Sequence, residues 1–195
     1  MSKIYTLNNK IVIINNKWAQ AVEETPPAPT FDEVTIGTQT WMASNLAIDD
    51  GGAGISIIDN VTVNGINFGT QYYYTWDAAV RVASSISGWH LPSKSEWETL
   101  LTTAGGTSTA GYKLKSRTGW EDGNNGIDTY GFSAPPVGYY ISGSMGGEGV
   151  FAVFWTNTTY DSSQSYIKGF QMSDAVFETY SGKSNGMTIR LIKDS

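Results

Sequence analysis

His90 is the only imidazole among 195 residues, and the chain has no cysteine at all. A hydrolase of the Ser–His–Asp type would therefore have to use His90 as its base. That residue sits between Trp89 and Leu91-Pro92, in what reads as a tight turn, so a structural histidine is expected and contact with a ligand is the alternative. Sites of several histidines cannot form. Thiolate zinc sites, iron–sulfur clusters, disulfides and cysteine nucleophiles are excluded outright. Glu96 and Glu98 are the nearest approach to a carboxylate pair. Two residues apart on a helix, they point about 200° away from each other and cannot flank one glycosidic bond. No catalytic residue is assigned.

Residues 121–128, Glu-Asp-Gly-Asn-Asn-Gly-Ile-Asp, are rich in oxygen and punctuated by glycine. Gly126 comes one residue too early for an EF-hand, and no glutamate closes the loop. A turn bonded by its own Asx side chains is the expectation, with a structural Ca²⁺ near Asp122, Asn124 and Asp128 as the alternative. No other metal or cofactor is expected. The pairs Gly51-Gly52, Gly105-Gly106 and Gly146-Gly147 are not followed by Lys-Ser/Thr and do not open a helix after a parallel strand, so they do not read as phosphate loops.

What remains is chemistry of recognition. Residues 139–149, 155–166 and 177–185 are dense in Tyr, Ser, Gly and Asn. Tyrosine offers rigid contact area and the small polar residues adapt their hydrogen bonds, a combination that antibody loops also use. Tyr139, Tyr140, Asn157, Tyr160, Tyr166 and Tyr180 are the candidate ligand-binding residues; the plain alternative is that these segments are solvated connections. Trp155, beside Phe154, reads as core. A formal net charge of −6 and no basic stripe argue against nucleic acid as a partner, and no window is apolar and long enough to insert in a membrane.

The elements that must position these residues are legible from their punctuation. Ser93 and Glu96 make an S-x-x-E capping box, Pro92 precedes it, and Trp97, Leu100 and Leu101 follow at helical spacing, predicting a helix over 94–103 that Gly105-Gly106 stops. Thr75 caps an earlier helix over 76–85, with Asp77 in its first turn. Gly37-Thr38 joins strands 33–36 and 39–42 in a hairpin, residues 49–54 form a loop, Asn64-Gly65 is a hairpin turn, and Tyr72-Tyr73-Tyr74 is strand-like. After Gly106 no helical period is read, only short β and loop pieces ending in a strand over 187–193. The body, residues 31–195, is thus predicted as α+β, with two helices and a long irregular β region.

Ahead of it, strands over 4–7 and 11–14 are punctuated by Asn8-Asn9 and Asn15-Asn16, and Trp18 closes the segment. A lone ribbon of two strands is marginal in water. Residues 1–22 are therefore expected to be an arm for attachment or oligomerisation, its pairing residues Ile4, Leu7, Ile11, Ile13 and Trp18, with a strand docked on the body as the alternative. Residues 23–30 carry three prolines in four positions and read as a semi-rigid spacer.

Several runs of the body occur together and in order: Ile36-Gly-Thr-Gln-Thr-Trp-Met-Ala-Ser-Asn-Leu46, Tyr74-Thr-Trp-Asp-Ala-Ala79, Gly88-Trp-His-Leu-Pro-Ser-Lys-Ser-Glu-Trp-Glu98, Asn125-Gly-Ile-Asp-Thr-Tyr-Gly-Phe-Ser-Ala-Pro-Pro-Val-Gly138 and Ile189-Arg-Leu-Ile-Lys-Asp194. In them the body resembles the Fibrobacter succinogenes major paralogous domain, which is found widely in Bacteroidetes proteins. The resemblance implies a C-type-lectin-like fold of the formylglycine-generating-enzyme branch, which also includes variable receptor-binding tips of phages, with a ligand face on C-terminal loops. It does not bring the branch's oxidase activity, since that uses cysteines and copper. The chain departs from the family where members have an Arg-Cys pair, here Arg190-Leu191, and where many have a cysteine ahead of Gly88. Family members are often exported; Met1 to Asn15 do not read as a secretory signal.

An unsecreted body with an assembly-like arm implies a non-enzymatic bacteriophage virion protein, a head fibre or tail adhesin, made in the host cytoplasm. Its arm would pair with other virion proteins, by analogy with phage fibres as a homotrimer, and its loops would bind host-surface glycan or protein. A bacterial cell-surface or secreted binding module is the second expectation and a carbohydrate-active enzyme the third.

Overall fold

The computed structural model describes the backbone of residues 3–7, 10–15 and 18–22, and residues 29–195 in full. The chain divides into two units, residues 1–30 and 31–195. In the first, β1 (Lys3–Leu7), β2 (Lys10–Asn15) and β3 (Trp18–Val22) form an antiparallel sheet in the order β1-β2-β3. Ile4 stands opposite Ile13, Ile11 opposite Val22, and Asn15 opposite Trp18. Two strands are expected here and three are found: Trp18 opens a strand rather than closing the ribbon. The physical reason lies in β2, whose unbroken apolar run suits a central strand paired on both edges. Residues 23–28 of the proline spacer lie outside the described residues.

The second unit begins with a hairpin, β4 (Glu33–Ile36) and β5 (Gln39–Met42), turned at Gly37 with φ 63°. After the loop at 49–54 come β6 (Ile55–Ile58), then β7 (Thr62–Val63) and β8 (Ile66–Asn67) around Asn64-Gly65, whose φ values of 49° and 77° are those of the left-handed turn this dipeptide favours. Next are β9 (Gln71–Tyr74), α1 (Trp76–Ser84), β10 (Trp89–His90) and α2 (Lys94–Thr103). Both helix caps are as the sequence predicts. The Thr75 side chain accepts from the Ala78 N–H, and the Ser93–Glu96 capping box is complete, with the Ser93 N–H donating to Glu96 Oε2 at 2.7 Å.

A short α3 (Ala110–Leu114) then follows where no helix is expected. Five residues are too few to show a period, and its second residue is Gly111, where a Cβ would lie 2.5 Å from the Asp174 carbonyl oxygen. The remaining strands are β11 (Val137–Ile141), β12 (Ser144–Glu148), β13 (Ala152–Thr159), β14 (Gln164–Phe170), β15 (Val176–Gly182) and β16 (Ile192–Lys193). What reads as an irregular β region is mostly one sheet, in the order β12-β11-β13-β14-β15, with β11 and β13 parallel. A second sheet has the order β10-β16-β5-β4, so both ends of the body meet in it. The continuous strand expected over 187–193 is broken. Only Ile192–Lys193 forms a ladder; Met187 and Thr188 make single bridges to Tyr74 and Phe154, and the Ile189 and Leu191 carbonyls accept from Leu46 and Met42. Residues 187–192 are buried throughout, so no alternation marks where pairing stops. The body is therefore mixed α and β, dominated by sheet, with three α-helices among the described residues.

Strand alternation divides the core across β13. Phe154 joins Trp41, Trp97, Phe132 and Phe170 on the α2 side, while Val153 and Trp155 join Ala78, Ala79 and Val82 of α1 on the other. Trp97 is 0% exposed, with ring centroids 4.9 Å from Trp41 and 5.4 Å from Phe154. Each such contact is worth about 0.5–1.5 kcal/mol beyond area burial. Trp155 is core, as expected, and its indole N–H donates to the Tyr74 carbonyl at 2.7 Å.

Candidate functional site

In the register of β14 and β15, Tyr166 stands opposite Tyr180 and Lys168 opposite Glu178, so period-two alternation puts all four on one face. Tyr160 follows β13, and its backbone is held by an Asx turn: Asp161 Oδ1 accepts from the N–H groups of Ser163 and Gln164 at 2.7 and 2.8 Å, and the Tyr160 N–H donates to the Gln164 carbonyl at 3.0 Å. The Tyr160 ring stacks on Tyr180 at 4.0 Å and 10°, and meets Tyr166 edge-on at 5.6 Å and 87°. Tyr160 is 49% exposed and Tyr180 44%. The result is an aromatic surface that is ordered before any ligand arrives.

Charge frames this surface. Lys94, the first residue of α2, places Nζ 4.7 Å from the centre of the Tyr166 ring and 2.5 Å from Glu178 Oε1. The buried Lys168 ammonium takes the other oxygen of Glu178. Partial burial would raise the Glu178 carboxyl, but its bonds to Lys168 and Lys94 outweigh this and hold its pKa below the ordinary value. Thr158 Oγ1 accepts from the Lys94 N–H at 3.0 Å, and the Asn157 N–H donates to the Pro92 carbonyl at 2.9 Å, so the end of β13 is fastened to the start of α2. Exposed Asn157 thus belongs to the same edge. Aromatic faces beside fixed polar groups suit the apolar faces and hydroxyls of a sugar, or a protein surface.

The other two candidate tyrosines lie elsewhere. As neighbours on β11, Tyr139 and Tyr140 face opposite ways. Tyr139 packs on Phe151, with centroids 6.4 Å apart, in an apolar groove of ≈ 260 Å³ that Tyr180 also lines. Tyr140 lines a separate polar cavity of ≈ 450 Å³ with Thr75 and Asn185. Lys94 and Glu178 are functional candidates that sequence reasoning passed over. The signal for them was present: Tyr166/Lys168 and Glu178/Tyr180 share a period-two face, and Lys94 opens a capped helix.

His90 is only half-buried, and both its nitrogens are engaged. Nδ1 lies 2.6 Å from Asp194 Oδ1 and Nε2 lies 2.7 Å from Glu96 Oε1. Two carboxylate acceptors are met best by two N–H donors, so the geometry favours the imidazolium. Burial pulls its pKa down, but the bonds to Glu96 and Asp194 prevail and raise it above the ordinary value. An imidazolium donating at both ends has no lone pair with which to activate a nucleophile. Glu96 also completes the capping box, while Glu98 stands beside Lys94 at 4.0 Å. The arrangement ties β10, α2 and residue 194 together, and it lines a pocket of ≈ 370 Å³ with Thr38 and Thr40.

The family model of the Fibrobacter succinogenes major domain matches residues 34–193. The chain belongs to this family. No curated protein and no solved structure matches it. The Fibrobacter succinogenes major domain here carries the whole tyrosine face, His90 and all three helices, and the three-stranded unit lies outside the match.

Within the family domain, a lysine ties the oxygen-rich loop at 121–128 to residues 171–173. The Lys115 ammonium, on a 0% exposed side chain, donates to the carbonyls of Asn124, Gln171, Met172 and Ser173 at 2.7–3.2 Å. Asp128 Oδ1 accepts from the Ser133 N–H, Asn125 Oδ1 from the Trp120 N–H, and Asn124 Nδ2 donates to the Glu121 carbonyl. Short Asx bonds were the expectation; the lysine was not. Among the described residues no group of three or more His, Asp or Glu side chains is placed to hold a metal ion.

Proposed function

We propose that this chain is a non-enzymatic display protein whose family domain, taking a C-type-lectin-like fold, binds host-surface glycan or protein through the face formed by Tyr160, Tyr166 and Tyr180. Residues 1–22 attach it to other virion proteins, in a head fibre or tail adhesin, as a homotrimer. The observation that carries the reading is the Tyr160–Tyr180 stack at 4.0 Å, with both residues more than two-fifths exposed. Two large apolar rings held rigidly in solvent cost the ligand little ordering entropy. The site offers donors and acceptors around a flat surface, and the one histidine is spent on two carboxylates.

The test uses the full chain, applied to a glycan array and to Bacteroidetes cells, beside Tyr160→Ala and Tyr180→Ala. Loss of one exposed stacking ring is expected to weaken binding about tenfold or more, as central aromatic contacts do. Binding that survives both substitutions unchanged would remove this face from the proposal.

A further inference from the structure

Arg190 is the most deeply buried cation of the family domain after Lys115, at 1% exposed, and its partners are neutral. One terminal nitrogen donates to the Phe132 carbonyl and the other to Asn45 Oδ1 at 2.8 Å. The guanidinium carbon lies 4.3 Å from the centre of the Phe132 ring, and Nε has no partner among the described residues. Burial pulls the pKa down to about 9, with Asp128 acting in the other direction, so the group keeps its charge at neutral pH. A buried charge without a carboxylate beside it is costly and calls for explanation.

This guanidinium borders a cavity of ≈ 340 Å³ whose polar lining is Ser44, Asn45, Thr70, Gln71 and Ser133. Arg190 is the only ionisable residue in that lining. The hydrogen bonds run one way. Asn45 Oδ1 accepts from Arg190, Asn45 Nδ2 donates to Gln71 Oε1 at 3.1 Å, and Gln71 Nε2 donates to the Phe68 carbonyl at 2.7 Å. Each amide therefore spends its oxygen on its neighbour and keeps a second N–H to spare. Thr70 gives its hydroxyl proton to Asp59, and the Asp128 carboxylate takes the Ser133 N–H; neither acid lines the cavity. Surplus donors and one positive charge form a site for an acceptor-rich anion.

We propose that this cavity binds a small organic carboxylate, one carboxyl group oriented by the Asn45–Gln71 amides beside Arg190. The volume is at the small end of ligand pockets and suits about one sugar ring or one amino-acid residue. The site is separate from the tyrosine face and does not depend on it.

Calorimetric titration of the full chain with glucuronate and with N-acetylglycine tests it, with neutral methyl glucuronate ester and inorganic sulfate as controls. Saturable single-site binding of at least one carboxylate below about 10 mM is expected, with the ester about tenfold weaker or worse. Whichever acid binds more tightly identifies the source as an acidic sugar or a peptide carboxylate. Ser44 is exposed, so Ser44→Trp should fill the mouth of the cavity and abolish binding without disturbing the fold. Asn45→Asp supplies the missing charge in place and should abolish binding while raising Tm. Failure of both acids to bind, an ester as good as its acid, sulfate tighter than either acid, or full affinity in Ser44→Trp would overturn the proposal.

Discussion

At the residue scale, His90 converts one side chain into a pH-dependent clasp. Its folded pKa is raised, so its contribution is fully present below the unfolded value of about 6.5 and is lost as pH rises through the folded value. Glu96 behaves oppositely: burial would raise it, but the Ser93 and His90 bonds lower it, so its contribution is lost as pH falls through its folded value, below about 4.3. The clasp is strongest between these limits. His90→Gln should cost about 1 kcal/mol there, because more than a third of the imidazole side chain is exposed and solvent screens the pairs. Thermal melts across pH should show the wild type and variant converging at alkaline pH; a constant gap at every pH would contradict the charged clasp. Lys115 makes a larger claim. Lys115→Met leaves four carbonyls without their shared donor and should cost roughly 3 kcal/mol in urea unfolding; a neutral result would show that the cage relaxes. Neither role could be read from the chain alone, since the partners of His90 and Lys115 lie up to 104 and 58 residues away.

At the element scale, what the sequence made legible was whatever is decided within a few residues. The Thr75 and Ser93 caps, the Gly37 and Asn64-Gly65 turns and the limits of α2 all depend on neighbours in the chain. Ser93→Ala removes the acceptor for the Glu96 N–H and the donor to its carboxylate, and should cost about 1 kcal/mol in chemical unfolding. Because Lys94 opens that helix, the same substitution should also weaken any ligand of the tyrosine face; unaltered binding would mean that β13 alone positions Lys94. What was not legible is set at long range. The helix at 110–114 exists where Gly111 can approach the Asp174 carbonyl, and the strand at 187–193 breaks because it threads between sheets. Composition, which marks the six candidate ligand residues, does not register alternation, so it groups Tyr139 with Tyr140 although one strand turns them apart.

At the scale of the whole molecule, the chain divides at residue 30 into two units, and whether they have separate roles can be tested directly. The three clusters of buried residues found among the described residues all lie between Ile36 and Ile192, and β16 pairs with β5 to close the body end to end. A unit with its own core and closed termini should fold without an appendage. Deleting residues 1–22 is therefore expected to leave Tm and far-ultraviolet dichroism of the body unchanged. If the three-stranded unit is the attachment device, the full chain should sediment as an oligomer and the truncated chain as a monomer, and the deletion should abolish incorporation into particles. The two readouts separate two kinds of failure. A truncated chain that melts early would mean that the strands of residues 3–22 support the body. A stable truncated chain that still sediments as an oligomer would move the subunit contacts onto the family domain, where the apolar groove beside Tyr139, Phe151 and Phe177 would be the first surface to mutate.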